Sequence, residues 1–568
     1  MNMKASYARL SENALASCRN PQFRALAYVL AFFHAVVQER RKYGKLGWNV
    51  AYDFNETDFR ISFSLIKSYC DKVCAVVNDG DQNNNLCATM NGQGAQTRTL
   101  PWVALKYLIG EAMYGGRVSD HYDRRVLGAY LDEYFGDFLF DGFHKFTFYA
   151  DANDNMRYEL PVMDASYDEH LAIIERFPNV QTPDVMGLHA NADVAHSTRA
   201  AKALWSNVLT LQSRSSAPAS SSTSSGTDDA SEGHDDSSAQ DNAGSVLLNI
   251  INDILGVVTN EAYVFDLVQI LRRREPNLTP SPTTVVLYQE IERHNALKDV
   301  MRLSLQELVK ALSGEIGMSQ ELDAIADALS RGHLPEVWKS AAPPTDKDVQ
   351  SWMAWYKRRE AQFKAWLVDG EPNVMWLSGL QCPETYIAAL IQSACRTMGW
   401  PLDASDVYTE VTNYVSADEI SAKPKLGCYI TGLYLEGAIW DRENSCLAQP
   451  RDKTLVSELP ILRLVPYKRA PTTAPTTASM TTSRVTSSDA DRDNDNDNNN
   501  DDDDASEQNI SCVSQDSTDN GFDAPVYFTQ SRRDAMGRGL VFSARIRSQH
   551  HHSVWTLAGV ALCLNIDV

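Results

Sequence analysis

The sequence predicts a mainly α, α+β protein, with helices first and short strands last. Three observations carry this reading. Residues 25–37 are apolar on every face except for His34, which marks a helix buried nearly all round. Leu287, Ile291, His294, Lys298, Met301, Leu305, Leu308 and Leu312 follow alternating steps of four and three, the seam of a helix within a bundle. After Met375 the texture changes to short β-like runs between polar turns, at 408–414, 428–435, 459–465, 526–529, 540–546 and 555–564. Such runs predict a small antiparallel β-barrel or sheet rather than a parallel one.

The totals set limits. A chain of 568 residues exceeds the roughly 250–300 over which a single core grows, so more than one core is expected. Its 43% hydrophobic and 22% charged content is that of an ordinary globular protein. The net charge of −22 is concentrated: residues 489–507 hold nine Asp, one Glu and one Arg, and residues 228–241 hold six acidic residues and no Lys or Arg. About −7 remains elsewhere, and without a basic surface nucleic acid is not an expected partner. Ten cysteines are scattered without a CxxC pair, which favours free thiols in a reducing compartment over a zinc site or a disulfide scaffold. The opening MNMKASYARLSENA lacks the apolar core of a signal peptide. The apolar run at 25–37 falls short of the about 20 residues that span a bilayer. No membrane association is expected, and the expected location is cytosolic or cytoskeletal.

Local signals place the elements in order. Asn20 and Pro21 supply an N-cap and a first-turn proline for the buried helix. Arg40, Arg41 and Lys42 complement the negative end of its dipole, and Gly44 suits a left-handed turn after it. Asn55 caps a second helix, with Asp58 near its positive end and Ile61, Leu65, Tyr69 and Val73 four apart on one face. Residues 78–99, rich in Asn, Gln and Gly, read as an exposed insertion. Ser119 or Asp120 caps a third helix over 122–139, and short loops alternate with helical pieces over 140–197. The Ser-rich stretch 213–245 cannot bury enough apolar surface to offset conformational entropy and is predicted to be disordered. Helices are expected over 246–258, 263–274, 285–312 and 388–398. Trp338, Trp352, Trp355, Trp366 and Trp376 read as core rather than a base-stacking platform, because no basic groove accompanies them. Residues 467–521, with Thr/Ser/Pro and Asp/Asn blocks, read as a solvated insertion.

No residue set carries catalysis, a cofactor or a metal, so none is assigned. Gly115-Gly116 lacks the spacing and the Lys of a phosphate loop and reads as a tight turn; no Walker A sequence occurs in the chain. His189 and His196 lack a third ligand, and His294 on its apolar seam reads as a satisfied core polar group rather than a ligand. The Asp block lacks the spacing of a calcium loop. His550-His551-His552, Cys382 and Cys395 lack the partners of a triad or a metal site.

Several stretches resemble dynein heavy chains. Phe33-His34-Ala35-Val36-Val37, Glu39-Arg40-Arg41-Lys42-Tyr43-Gly44 and Gly47-Trp48-Asn49 are similar to the small helical subdomain of that family's sixth AAA+ module. Gly187-Leu188-His189-Ala190-Asn191-Ala192-Asp193 resembles the junction with the family's C-terminal domain. Gly432-Leu433-Tyr434-Leu435-Glu436-Gly437-Ala438-Ile439-Trp440-Asp441 is similar to a stretch within that domain. The likeness runs from about Met3 to Asp567, broken at the polar insertions. Pro101-Trp102, Met113-Tyr114-Gly115-Gly116, Trp400-Pro401-Leu402-Asp403 and the ending Trp555-Thr556-Leu557-Ala558-Gly559-Val560-Ala561-Leu562 look most like axonemal outer-arm β-type chains. Ala524 departs from the Cys that many relatives have there.

The resemblance implies a helical AAA+ lid over 1–180 and a C-terminal domain over 181–567, a helical bundle with a small β-barrel lying on one face of the motor ring. It implies a microtubule-dependent ATPase as the parent motor, moving toward minus ends in cilia and flagella, with this segment closing and bracing the ring. ATP and Mg would belong to AAA+ modules that this chain does not contain. The implied partners are the remainder of the ring, dynein intermediate and light chains, and microtubules indirectly; the implied location is the cytoplasm, cytoskeleton and axoneme. A fragment of a longer motor is expected. The alternative is a free-standing regulatory or scaffold protein derived from the same family.

Overall fold

The structure, a computed structural model, describes residues 2–18, 20–79, 100–141, 144–151, 156–162, 165–211, 237–259, 280–345, 347–469, 521–532 and 539–565. Two short helices, α1 (Asn2–Ala8) and α2 (Glu12–Ala16), lead into α3 (Gln22–Glu39). As the capping residues predict, Asn20 Oδ1 accepts the Gln22 N–H at 2.9 Å and Pro21 opens the first turn. Every residue of α3 from Ala25 through Val37 is buried, His34 included. A 3₁₀ turn, Arg40–Leu46, follows, and Gly44 takes a positive φ of 58° within it.

Next comes α4 (Glu56–Asp79), whose first turn is tied by Asn55 Oδ1 to the Thr57 N–H and by Asp58 Oδ2 to the Asn55 N–H. Its buried stripe is Phe59, Phe63, Ile66 and Cys70, while Ile61 stands 43% exposed. The expected face is therefore displaced: steps of four alone drift around a 3.6-residue helix, and the true stripe alternates four and three. Helix α5 (Trp102–Tyr107) runs into a π-helical turn, Leu108–Tyr114, and Asp120 caps α6 (His121–Tyr134). The third helix stops at Tyr134 rather than near residue 139, because Gly136 is fully extended (φ −177°) and a separate 3₁₀ turn follows. A short hairpin, β1 (Thr147–Ala150) with β2 (Arg157–Glu159), precedes α7 (Tyr167–Glu175) and α8 (Asn191–Leu211). Tyr7 OH meets His170 Nδ1 at 2.5 Å and pins α1 to α7 inside a cluster of Tyr28 and Tyr167 rings.

The middle of the molecule is a bundle with its own core. It comprises α9 (Ser237–Val258), α10 (Pro282–Leu312), α11 (Gln320–Ser330), α12 (Glu336–Ala341) and α13 (Val349–Asp369). Helix α9 begins inside the stretch expected to be disordered, whereas the expected helix 263–274 lies outside the described residues. So do most of the three polar insertions, including the Asp block. On α10, Leu297 takes the core position predicted for Lys298, whose amine instead faces Glu360 at 3.9 Å. All five tryptophans are buried; Trp338 stacks on Trp352 and Trp352 packs on Trp355.

Strand β3 (Val374–Trp376) and α14 (Pro383–Met398) open the last part. Then come β4 (Ser405–Val411), β5 (Cys428–Thr431), β6 (Tyr434–Glu436), β7 (Ile439–Asp441), β8 (Cys446–Ala448), β9 (Val456–Glu458) and β10 (Leu462–Lys468). The last elements are β11 (Gly521–Thr529), β12 (Leu540–Arg547), α15 (His552–Leu557) and β13 (Ala561–Asn565). The mainly α, α+β expectation holds, but among the described residues the strands do not close into a barrel. They form a four-stranded sheet, β3-β5-β10-β4, a five-stranded sheet, β12-β11-β13-β6-β9, and the β7-β8 hairpin. Two pairs, β3-β5 and β11-β13, are parallel. At the seam between β4 and β12 a side chain replaces the ladder: Thr409 Oγ1 donates to Arg545 O and accepts from its N–H. The final run is split, because Trp555 lies in α15 and only 561–565 form a strand.

One hydrophobic core runs from Met3 through α3, α6 and α14 to Leu564, and the bundle core stands beside it. Among the described residues no helix is long and apolar enough to cross a membrane.

Candidate functional site: a buried polar seam between the helical and β units

The turn after α3 is where the N-terminal helices meet the sheets. Arg40, expected to complement the negative end of the α3 dipole, is wholly buried. Its Nε donates to Gly47 O at 2.7 Å, and Nη1 donates to Tyr130 OH at 2.8 Å and Met186 O at 2.9 Å. The guanidinium thus folds the turn back and fastens α3 to α6 and to the stretch before α8. Trp48 Nε1 donates to Val37 O at 3.1 Å and closes the same turn.

Asn49 carries the contact across. Its Nδ2 donates to Asp120 Oδ1 at 3.0 Å and to Tyr527 OH at 2.7 Å, and its Oδ1 accepts Arg532 Nη1 at 3.0 Å. Arg532 Nη2 reaches Glu436 at 2.8 Å and Gly559 O at 2.9 Å. Burial works against the Arg532 charge, yet the Glu436 carboxylate holds the guanidinium above its ordinary range. Asp123, in the first turn of α6, is also buried, and accepts from Asn49 N, Val50 N and Tyr52 OH. Burial pushes its carboxyl up to about 6 against those hydrogen bonds. Beside it Tyr122 OH donates to Val560 O at 3.0 Å, and burial pushes that phenol up to about 12.

Two further contacts complete the seam. Asn191 at the start of α8 donates to Arg451 O and Thr454 O and accepts the Lys453 N–H at 2.7 Å. Gly559 has φ 73°, and a Cβ there would stand 2.4 Å from Leu46 O, so only glycine lets the α15–β13 turn lie against the α3 turn. The arrangement has the chemistry of a rigid joint. Each residue named in it makes a hydrogen bond, although Arg532 Nε has no partner, and the neutral Asn49 meets the charged Arg532 from the opposite end of the sequence.

The residues considered for chemistry lie apart from one another. His189 Nδ1 accepts the Asn191 N–H, His196 lies edge-on to Tyr43, and His551 Nδ1 accepts the Ser553 N–H. Cys395 is buried, and the Cys382 N–H donates to Glu290. Gly115 follows the π turn and faces Gly110 O; His294, expected to be a satisfied core polar group, stacks on Tyr356 at 4.7 Å with neither ring nitrogen hydrogen-bonded, because the surrounding seam is apolar and aromatic. Among the described residues no three His, Cys, Asp or Glu side chains converge in a metal-holding arrangement. Arg532 is the seam residue that sequence reasoning missed. It sits in a polar turn beside Arg533, and its partners lie 483 and 96 residues away.

Comparison with known proteins gives these positions a context. A profile of the AAA lid domain of dynein heavy chains matches residues 23–192, and a profile of the C-terminal domain of dynein heavy chains matches residues 198–485. The protein is 45% identical over its whole length to the dynein-1-alpha heavy chain of the flagellar inner arm I1 complex of Chlamydomonas reinhardtii. It is 41% identical over its whole length to human dynein axonemal heavy chain 10. It spans about a tenth of each relative, 10% and 11% respectively. Neither name mentions the outer arm, so the outer-arm likeness expected from Pro101-Trp102 and the final residues gains no support from them.

Proposed function

This protein belongs to the dynein heavy chain family, and on that premise we propose that it is a bracing segment of a motor rather than a site of chemistry. The proposed motor is a microtubule-dependent ATPase of cilia and flagella, moving toward minus ends. Its ATP and Mg are held in AAA+ modules outside this segment, and light and intermediate chains attach through the parent complex. The axoneme is the proposed location, and an inner arm the proposed position, supported by the 45% relative whose name carries that arm.

The observation that carries the reading is the Asn49–Arg532–Glu436 joint. It seats the neutral Asn49 side chain of the lid-like helices on a buried ion pair of the sheets, Arg532–Glu436, and removing either charge would leave the other buried and unpaired. A joint of this kind transmits a rotation of one unit to the other. The test places Arg532→Met in a full-length motor that includes this segment and follows microtubule gliding and nucleotide binding. Gliding is expected to slow by at least ~3-fold with nucleotide binding unchanged, as for loss of an element that couples rather than reacts. Normal gliding by a motor whose joint has demonstrably loosened would overturn the reading. So would ATP turnover by the purified 568-residue protein.

A further inference from the structure

Beside the joint, a cleft of about 400 Å³ opens between α8 and the loops flanking β9. Its floor is apolar, with Leu46, Leu188, Leu455 and Val456. Its rim carries the cations Lys45, Arg199 and Lys202, with the His189 ring beside them. Glu436 is the carboxylate that lines it, and Arg532 already holds that group at 2.8 Å. Arg199 reaches only a backbone carbonyl, Tyr43 O, at 3.4 Å, and neither it nor Lys202 has a carboxylate partner among the described residues. A positive cleft is notable in a protein of net charge −22, and low-dielectric walls focus its field.

The cleft also has a direction. Ala195, Thr198, Arg199 and Lys202 line it from one face of α8, and Trp205, 69% exposed, continues that face one turn further on. From Ala195 to Trp205 this face runs about 15 Å at 1.5 Å per residue. That length suits about four or five residues of extended peptide at ~3.3 Å each and exceeds what a single small anion fills.

We propose that this cleft is a docking site for an acidic peptide segment of a partner protein. Its carboxylates pair with Arg199 and Lys202, and its apolar side chains rest on the Leu46–Leu188 floor and on Trp205. The cleft by itself supports this docking, independently of the motor reading.

The full 568-residue protein is mixed with a fluorescein-labelled ten-residue peptide of alternating Glu and Leu, and binding is read by anisotropy. Wild-type protein is expected to bind this probe and not the corresponding Lys–Leu peptide. Arg199→Glu with Lys202→Glu is expected to weaken binding at least ~10-fold, and Trp205→Ala ~5-fold, as for loss of rim charges and of an aromatic anchor. These side chains are exposed, so melting should be unchanged, and Trp205→Ala keeps the test standing if the charge reversal perturbs folding. Equal weakening by Lys339→Glu with Lys357→Glu, far from the cleft in sequence, would overturn the proposal as non-specific attraction. Failure of both cleft variants to weaken binding would overturn it as well. Full displacement of the probe by equimolar tripolyphosphate would reassign the cleft to small anions. Tighter probe binding, at least ~10-fold, after the nine Asp of 489–507 are changed to Asn would reassign it to the protein's own acidic run.

Discussion

His34 shows how burial sets the behaviour of a single residue. Its Nδ1 meets Tyr114 OH at 2.9 Å, its Nε2 meets Gln38 at 3.0 Å, and burial pulls the imidazole down to about 4. The unfolded state therefore binds its proton more readily. The stability that the neutral ring permits is present above about pH 6.5 and is lost as pH falls toward 4, by about 3 kcal/mol in all. Asp123 works in the opposite direction. With its folded carboxyl pushed up to about 6, the native state binds the proton more readily, so this group adds stability as pH falls from 6 toward 4. Urea unfolding at pH 7 and 4.5 separates the two. The advantage of wild type over His34→Gln is expected to shrink by about 2–3 kcal/mol on acidification, and its advantage over Asp123→Asn to grow by about 2 kcal/mol. Matching slopes for both variants would refute these protonation assignments.

At the scale of elements, one buried pair organises the contact between the bundle and the start of α14. Glu290 on α10 meets Arg359 on α13 at 3.1 Å with both side chains wholly buried, and it also accepts the Gln381 and Cys382 N–H groups ahead of α14. One carboxylate thus joins three helices and satisfies two amides that α14 itself leaves open. Glu290 also accepts Arg293 Nη1 at 3.0 Å, but Arg359 leaves Nε and Nη1 without partners and so depends on Glu290. Glu290→Gln strands a buried cation and is expected to cost about 3–5 kcal/mol, whereas Glu290→Gln with Arg359→Met should recover most of that loss. Denaturant midpoints read both, and a double variant no better than the single would rule out the charge as the cause. This also explains which features the sequence made legible. Asn20, Asn55 and Asp120 cap helices through neighbours within three residues, so their roles follow from local pattern. Glu290 and Arg359 lie 69 residues apart, and Asn49 and Arg532 lie 483 apart, so no local pattern pairs them. Strands β4–β6 and β10–β13 were legible as strands, whereas the short β1–β3 and β7–β9 were not. Nor was the sheets' failure to close, because Thr409 bridges the sheets with a hydroxyl rather than a ladder.

The whole molecule is divided by its cores rather than by sequence order. Helices near the N-terminus and strands near the C-terminus share one continuous core, fastened by the Asn49–Arg532–Glu436 joint; the bundle adds Val286, Leu287, Ile291, Phe363 and Trp366 to that core and builds a second one of its own. Cooperative melting follows shared burial, so two transitions are expected in calorimetry, one for each core. Arg532→Met removes the cation that pairs with Glu436 and accompanies Asn49, and is expected to lower the first transition by a few degrees, in keeping with a loss of about 3 kcal/mol. Trp352→Ala opens a cavity between Trp338 and Trp355 and is expected to lower the second transition, at a similar loss of about 3–5 kcal/mol. Each substitution should leave the other transition in place, because Arg532 and Trp352 sit on different cores. If Arg532→Met lowered both transitions equally, the bundle and the main body would have to be a single cooperative unit. The joint would then brace the molecule as a whole rather than one of its two parts.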